Sequence, residues 1–292
     1  RRGWAYNVYY VGINIGGFLA PLIWGTLGEL YGWHYGFGAA GIGMFAGLII
    51  YVCGQRYLPA EPPRVPTKDM PPMRWADHKG TFMVLLAVAL SVTVFRGAYE
   101  QVGNTVALWA DTGLDRGLGG FTIPMTWFQS LNPLLVMLMT PPLLAYWHRR
   151  ADAGKDTSPA RRMALGAVVV ACAYMLLAAV EWGSGDAKAP WLWFAMFFAV
   201  FTFGELLILP TGLGLFARLA PPRLGATTVA AWYLAIFTGS LSAGLVGMLW
   251  SHMDQSSFFA LLGLIALAAA VLLRSLDGAV RRVDPTWAPK GD

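Results

Sequence analysis

The sequence predicts an all-α protein that crosses a membrane eight times, and three observations support this fold class. Hydrophobic residues make up 57% of the 292 residues and charged residues only 13%, whereas a soluble domain carries about 25% charged residues. The mean hydropathy is +0.53. The apolar residues form eight long runs, each near the roughly 20 residues that a membrane-spanning helix needs. This composition excludes an ordinary water-soluble enzyme and a disordered protein.

Hydropathy places the ends of the eight runs to within a few residues. In chain order they are 4–27, 35–55, 81–109, 121–147, 162–182, 190–217, 225–250 and 256–275. The first two are separated by one short turn, the third follows the longest polar segment, and short polar loops separate the last five. Glycine and proline inside the runs are compatible with helices in lipid. We expect them to mark kinks or close approaches: Gly16, Gly17, Pro21, Pro133, Pro141, Pro142 and Pro210.

The loops between the runs alternate in charge. Of the 21 lysines and arginines, all but three lie on one side, together with both ends of the chain. The exceptions are Arg116 and Lys188, in loops of the other side, and Arg96, within the third run. Cytoplasmic loops carry such an excess of basic residues. The sequence therefore predicts a multi-pass protein of the cell's inner (plasma) membrane, with both ends of this chain in the cytoplasm.

The longest polar segment, 56–79, divides the runs unevenly, with two before it and six after. A major-facilitator-type helical bundle has two six-helix halves, joined by a cytoplasmic linker. We therefore expect 1–55 to be the last two helices of the first half, 56–79 the linker, 80–276 the second half, and 277–292 a cytoplasmic tail. Because the chain begins with arginine rather than methionine, we expect it to be the later part of a longer protein, without that protein's first four helices.

Other chemistries fit the composition poorly. The two cysteines, Cys53 and Cys172, lie in or beside apolar runs, so they indicate neither a disulfide framework nor a metal cluster. All four histidines lie at the ends of runs or in loops, which argues against an intramembrane enzyme, a haem or a metal site. The net charge of +5 comes from loops rather than from one basic face. We therefore expect no enzymatic activity, no cofactor and no nucleic-acid partner, and the lipid bilayer as surroundings.

Three charged residues lie well inside the runs, where a charge is costly and usually lines a cavity or has a partner. Arg96 and Glu100 are four residues apart, so a helix places them on one face. They form either a local ion pair that merely cancels charge, or a pair in which protonation of Glu100 changes its partner. Glu205 has no basic residue near it in the sequence. It is either a hydrogen-bonded structural acid or the partner of a cationic substrate group.

Uncharged polar side chains also lie within the runs. Tyr10 and Asn14 share a face of the first run, and Asn132 precedes Pro133 in the fourth. Such side chains either hold helices together or line a cavity. Trp232, in the seventh run, is on its own more typical of a packed core than of a site.

Six short motifs follow one another in an order typical of one transporter family. They are YYVGINIG at 9–16, YGWHYGF at 31–37, YEQVGN at 99–104, FQSLNP at 128–133, GELLILPTGL at 204–213 and AWYL at 231–234. They resemble motifs of the proton-dependent oligopeptide transporters, a family with the major-facilitator fold. The resemblance covers nearly the whole chain and implies that it holds family helices five to twelve. The family's helix-one motif E-x-x-E-R-F-x-Y-Y and the basic residue of its helix four have no match here.

The resemblance implies roles in substrate binding. Tyr10 and Asn14 would line the part of the peptide site that belongs to the first half. Asn132 and Glu205 would receive the amino terminus of the peptide, and Trp232 would form the wall of a side-chain pocket.

The resemblance also implies roles in proton coupling. Glu100 would be the acid that switches partners, pairing when charged with an arginine upstream of this chain. Arg96 stands where the family more often has an aromatic or apolar residue, so it would compete for Glu100. Leu209 replaces a small polar residue before Pro210, which would change the size or polarity of the pocket.

The resemblance therefore implies a proton-coupled symporter that imports di- and tripeptides by alternating access, as a monomer, with protons as the coupling ion. A fixed acid for one peptide end and a fixed base for the other would accept many side chains. Two alternatives remain open. One is a transporter of the same fold for another small solute, such as nitrate or an amino-acid derivative, and the other is a membrane scaffold that transports nothing.

Overall fold

The computed structural model of this protein describes residues 2–58, 75–185, 187–284 and 286, and for residues 2–10 and 222 it describes the backbone alone. The chain divides into two compact units. The first consists of residues 1–71 and 116–137, and the second of residues 72–115 and 138–292. The segment predicted as the second half, 80–276, therefore contributes to both units.

The described residues are almost entirely helical. The helices are α1 (Arg2–Ala20), α2 (Thr26–Tyr31), α3 (Trp33–Gly54), α4 (Trp75–Tyr99), α5 (Thr105–Gly113), α6 (Met125–Gln129), α7 (Leu131–Asp152), α8 (Pro159–Ser184), α9 (Trp191–Leu219), α10 (Gly225–Gly247), α11 (Gln255–Ser275) and α12 (Asp277–Val283). The strands have two residues each: β1 (Leu114–Asp115), β2 (Gly117–Leu118), β3 (Phe121–Thr122) and β4 (Ala189–Pro190). Strand β1 pairs in parallel with β4, and β2 pairs with β3 in an antiparallel hairpin.

Eight helical segments of the described chain are long and apolar enough to cross a membrane, as the sequence predicts. They are Val11–Tyr31, Trp33–Tyr57, Trp75–Gly113, Met125–Asp152, Pro159–Ser184, Trp191–Leu219, Gly225–Ser251 and Gln255–Ser275. Many of their large apolar side chains are exposed; that of Phe37 on α3, for example, is 72% exposed. Such surfaces suit contact with lipid rather than water.

Pro21 changes the geometry of the first span. It has no N–H to donate to a helical hydrogen bond, and Pro21–Gly25 form a π-helical turn between α1 and α2. At the end of α2, Gly32 adopts a φ of 113°, which glycine reaches without strain, and α3 begins at once. The regular α-helix is therefore interrupted at Pro21 by a π-helical turn.

The fourth span begins later than predicted. Gly119 and Gly120 have φ of 55° and 90° and form the two-residue turn of the β2–β3 hairpin, in which both positions need positive φ. Helix α6 begins at Met125, where the Glu29 carboxylate accepts the backbone N–H groups of Met125 and Thr126 at 2.9 and 2.7 Å. The span therefore starts four residues after the approximate position 121, because that residue lies in β3.

Ser130 separates α6 from α7, and Pro133 lies in the first turn of α7. The missing N–H of Pro133 removes one helical hydrogen bond, and the α-helix is interrupted at Ser130. The Ser130 hydroxyl donates to the carbonyl oxygen of Phe18 at 2.7 Å. A Cβ on Gly17 would lie 3.2 Å from Cγ of Pro133. Within the first unit, these contacts hold α1 against the start of α7.

The second unit is organised around α8, which packs against both α9 and α11. At the crossing with α9, a Cβ on Gly166 would lie 2.6 Å from the carbonyl oxygen of Gly204, and a Cβ on Gly204 would lie 2.7 Å from that of Gly166. Small residues let membrane helices approach this closely. The buried Tyr174 of α8 donates its hydroxyl to the carbonyl oxygen of Ala98 on α4 at 2.6 Å.

Aromatic rings fill the remaining core of the second unit. Those that are fully buried or nearly so are Phe95, Trp109, Tyr174, Phe194, Phe197, Phe198, Phe201, Phe216, Trp232, Phe258 and Phe259. Neighbouring rings contact each other mostly edge to face or tilted, which aromatic pairs prefer; the Trp109 and Phe259 rings, for example, are 5.4 Å apart at 83°.

Two segments predicted as polar connections are partly helical. Helix α4 begins at Trp75, within the predicted linker, while residues 59–74 lie outside the described part of the chain. The predicted tail begins with α12, which has a buried acid as its first residue and another directly after its end. Asp277 accepts from Nε of Arg161 at 2.7 Å and of Arg281 at 3.2 Å, and Asp284 follows the helix.

Candidate functional site

Glu100 lies where the third span changes from α-helix to a 3-10 turn, Glu100–Gly103. Arg96, in the last turn of α4, forms an ion pair with it. From α10, the Ser240 hydroxyl donates to Oε1 of Glu100 at 2.9 Å and lies 3.4 Å from Nη2 of Arg96. The side chains of Arg96 and Glu100 are 10% and 32% exposed. Arg96 and Glu100 are therefore paired, and this pair is compatible with both alternatives that their spacing allows.

Helix α10 reaches this ion pair because Gly239 has no side chain. A Cβ on Gly239 would lie 2.3 Å from Cβ of Arg96 and 3.2 Å from the carbonyl oxygen of Thr93. The Thr93 hydroxyl lies 3.2 Å from that of Thr238. Gly239 thus lets the backbone of α10 rest against α4, and Ser240 follows at the position that reaches Glu100.

Glu205 stands midway along α9, and its carboxylate is connected to α4. The Tyr99 hydroxyl donates to Oε1 of Glu205 at 2.8 Å, while the Tyr99 ring stacks on Phe201 with centroids 5.2 Å apart. The same ring faces the guanidinium of Arg96, whose Cζ lies 4.6 Å from the ring centroid. Glu100, Arg96, Tyr99 and Glu205 therefore form a continuous chain of contacts, called the acid network below.

Reasoning from the sequence missed Tyr99 and Ser240 as members of this site. Tyr99 follows Arg96 by three positions, a spacing that places both on one helix face. This spacing is the feature of the sequence that could have indicated Tyr99 as a neighbour of Arg96. Its bond to Glu205 spans 106 positions, and no local pattern indicates such a partner.

Gln101 holds the 3-10 turn next to Glu100. Its side chain is fully buried, with Nε2 donating to the carbonyl oxygen of Ala243 at 2.7 Å and Oε1 accepting from the Thr105 hydroxyl at 2.9 Å. In transporters, helices that depart from regular geometry often line substrate and ion sites. Here the Gln101 amide supplies hydrogen bonds where the α-helix changes to a 3-10 turn, and its bond to Ala243 connects this turn to α10.

Trp232 of α10 is buried. Its ring centroid lies 5.3 Å from that of Phe216, and a Cβ on Gly212 would lie 2.1 Å from its Cη2. Trp232 therefore packs tightly between α9 and α10. This agrees with the expectation that a tryptophan within an apolar run, judged on its own, belongs to a packed core. Its role in a side-chain pocket stays a prediction.

The remaining predicted site residues belong to the first unit. Asn14 on α1 and Asn132 on α7 are both half-buried. The side chain of Tyr10 lies outside the described part of the chain. The roles of these three residues in binding a peptide stay predictions.

The acid network presents two carboxylates that can accept hydrogen bonds or pair with a cation. Glu205 offers a carboxylate that accepts hydrogen bonds, as an ammonium group requires. Glu100 offers a second carboxylate, which is paired with Arg96. Because Tyr99 contacts both Arg96 and Glu205, a change of charge at one acid alters the surroundings of the other.

Comparison with known proteins agrees with the motif resemblance. The model of the POT family matches residues 1–71 and 74–266. The chain is 26% identical to the uncharacterized transporter YclF of Bacillus subtilis (strain 168), covering 97% of this chain and 68% of that protein. It is 27% identical to the peptide transporter YePEPT of Yersinia enterocolitica subsp. palearctica serotype O:3 (strain YE-P4), covering 85% of this chain and 61% of that one. The chain thus spans about two thirds of the length of these relatives.

The fold is similar to that of solved transporters. The crystal structure of a mutant peptide transporter POT in complex with alafosfalin superposes with a TM-score of 0.85 at 21% identity, covering 97% of this chain and 68% of that one. This likeness confirms the predicted all-α, major-facilitator-type architecture. The family model and the fold lead to one conclusion: this chain belongs to the POT family.

Proposed function

We propose that the protein imports di- and tripeptides together with protons by alternating access. The observation that carries this proposal is the acid network, which joins a carboxylate midway along α9 to a second one in the 3-10 turn that follows α4. Carboxylates within apolar helices are costly and typically mark substrate or proton pathways. Relatives named peptide transporters support the choice of substrate.

Glu205 receives the peptide's ammonium group in this proposal. The acid lies inside the apolar helix α9 and accepts a hydrogen bond from Tyr99. A carboxylate can accept several hydrogen bonds, so an ammonium can join Tyr99 rather than replace it. Charge-assisted hydrogen bonds of this kind are about twice as strong as neutral ones. Because every unmodified peptide has an amino terminus, such a site accepts many side chains.

Glu100 carries the transported proton in this proposal. While charged, it compensates the positive charge of Arg96, whose side chain is almost fully buried. Protonation of Glu100 would leave that guanidinium without compensation in apolar surroundings, which is strongly unfavourable. The contacts of α4 with α10 at Ser240 and with α9 at Tyr99 would then differ in energy between the two protonation states, as coupling requires.

The remaining predictions complete the proposal. Tyr10, Asn14, Asn132 and Trp232 contribute to the peptide site. The protein works as a monomer in the inner membrane, with both ends of this chain in the cytoplasm. Transport requires no covalent step and no cofactor besides the proton.

The test compares uptake of a radiolabelled dipeptide by the protein expressed from its complete gene with uptake by Glu205→Gln. We expect uptake to fall at least about ten-fold, since hydrogen bonds to charged groups contribute about 1.5–3 kcal/mol. In the unmodified protein, unlabelled dipeptide should compete and its N-acetylated form, which has no ammonium, should not. The control Glu181→Gln changes an acid of α8 that accepts from the Trp109 indole at 2.6 Å. Normal uptake by Glu205→Gln, or competition by nitrate but not by dipeptides, would contradict the proposal.

A second experiment tests whether Glu100 couples transport to the proton gradient. In liposomes, Glu100→Gln should lose accumulation of dipeptide driven by an inward proton gradient, because the amide cannot take up a proton. Exchange of labelled for unlabelled dipeptide without a gradient should persist. Gradient-driven accumulation by Glu100→Gln at the normal rate would show that another group carries the proton.

A further inference from the structure

Helices α8 and α11 enclose a groove of about 680 Å³ that is apolar along its length and basic at one end. Its basic end is formed by Arg161 and Arg274. Its aliphatic walls are formed by Leu165, Val168, Leu267 and Val271. This combination of features is amphipathic, as a membrane lipid is.

The spacing of these residues places the charges at one level and the apolar walls beyond them. Arg161 lies in the first turn of α8 and Arg274 in the last turn of α11. Val168 follows Arg161 by seven positions, and Leu267 precedes Arg274 by seven. Seven residues correspond to two helical turns, or roughly 10 Å. The walls therefore run about 10 Å into the membrane from the level of the two arginines.

The basic end carries more positive than negative charge. Asp277 is the shared partner of Arg161, Arg274 and Arg281, at 2.7, 3.5 and 3.2 Å. One carboxylate thus faces three guanidinium groups. The side chains of Arg161 and Arg274 remain 44% and 58% exposed, and each guanidinium has five N–H donors. Asp277 therefore holds the arginines in place without neutralising them.

We propose that this groove binds an anionic phospholipid. Arg161 and Arg274 bind the phosphate, and an acyl chain lies along the aliphatic walls between α8 and α11. Basic pockets between transmembrane helices are known to hold anionic lipid head groups. A second groove, between α4 and α10, has a volume of about 430 Å³, but the residues that line it are all uncharged. Charge complementarity to an anionic lipid is therefore a property of the α8–α11 groove.

The experiment is native mass spectrometry of the delipidated protein, produced from its complete gene, with phosphatidylglycerol or phosphatidylcholine of identical acyl chains. We expect phosphatidylglycerol to bind more tightly. Arg274→Gln should weaken phosphatidylglycerol binding about five-fold, the effect of one basic residue near a membrane surface, and leave phosphatidylcholine binding unchanged. The control is Arg149→Gln, which removes an exposed arginine at the end of α7 outside the groove and should change neither affinity.

A second variant tests the apolar part without altering charge. Val271 is exposed on the groove wall, so Val271→Trp should fill the groove, keep the fold and weaken binding of phosphatidylglycerol. Equal binding of the two lipids, an equal effect of Arg149→Gln and Arg274→Gln, or unchanged binding by Val271→Trp would overturn the proposal. So would displacement of the lipid by inorganic phosphate at equal concentration, because the site would then recognise a free anion.

Discussion

At the scale of single residues, the charges inside the apolar helices are compensated in two ways. Arg96 and Glu100 compensate each other within one helical turn, as their spacing predicts. Glu205 instead accepts from Tyr99, a residue of another helix. Because a half-buried acceptor within an apolar helix is stabilised by each hydrogen bond that it accepts, we expect the Tyr99 hydroxyl to contribute to stability as well as to transport.

Tyr99→Phe tests that contribution, because it removes the hydroxyl and keeps the ring that stacks on Phe201. We expect the free energy of unfolding to fall by about 1.5 kcal/mol, because the variant loses one hydrogen bond to a half-buried charged group. Thermal unfolding of the purified protein in detergent measures the change. Tyr233→Phe, at an exposed position of α10, is the control. Equal effects of the two variants would rule out a contribution from the Tyr99–Glu205 bond.

At the scale of elements, several glycines and one proline lie where helices touch or change geometry. Pro21 begins a π-helical turn, and Pro133 lies three residues after the interruption between α6 and α7. At the α8–α9 and α4–α10 crossings, Gly166 and Gly239 leave room for the neighbouring helix. From the sequence, glycine and proline within a span predict a close helix contact or an irregular turn. Only the packing shows which neighbouring helix lies against each of them.

Gly166→Ala and Gly183→Ala form a matched pair on α8. A Cβ at Gly166 would meet the backbone of α9 at 2.6 Å, whereas in the described part of the chain no atom of another helix lies within 4 Å of a Cβ at Gly183. We expect Gly166→Ala to destabilise the protein by about 1–3 kcal/mol through overpacking. Gly183→Ala should be neutral or slightly stabilising, since alanine favours helix. Denaturation in detergent compares them, and similar stability of both variants would refute the close crossing.

The attachment of α12 depends on the charge of Asp277. Burial raises the pKa of Asp277, but hydrogen bonds from Ser158, Arg161 and Arg281 outweigh this effect and hold it below the usual value. A lowered pKa in the folded state means that the contribution to stability is complete above the unfolded value, about 3.9, and disappears as the pH falls through the folded value.

Asp277→Asn should therefore unfold at a lower temperature than the unmodified protein at pH 7, and this difference should shrink as the pH is lowered below about 4. Thermal unfolding over a pH series provides the measurement. Asp152→Asn, at an exposed acid ending α7, should show no such trend. A difference for Asp277→Asn that stays constant down to the lowest pH would contradict the role of its charge.

At the scale of the whole molecule, the apolar exterior and the distribution of charge fit a bilayer. Eight segments of the described chain are long and apolar enough to span it, and the basic residues are concentrated in loops of one side. The excess of basic residues predicts which side faces the cytoplasm. Both units contribute to these spans, and each has its own internal contacts.

Cysteine labelling in intact cells tests this orientation. In a variant with Cys53 and Cys172 replaced by alanine, Lys188→Cys should react with a membrane-impermeant maleimide added outside. Lys155→Cys should react only after the cells are lysed, because its loop carries the basic excess. The reverse labelling pattern would overturn the predicted orientation.

The sequence by itself determined the membrane-spanning fold, the number of spans, the family and the Arg96–Glu100 pair. These depend on composition, on periodicity and on residues close together in the chain. The tertiary structure decided which residue hydrogen-bonds Glu205 and how Gly239 lets α10 approach α4, so that Ser240 reaches Glu100. It also decided where the fourth span starts and that the predicted tail begins with a packed helix. Each of these depends on contacts between residues far apart in the chain, and the pattern of one helix contains no information about which face of another it meets.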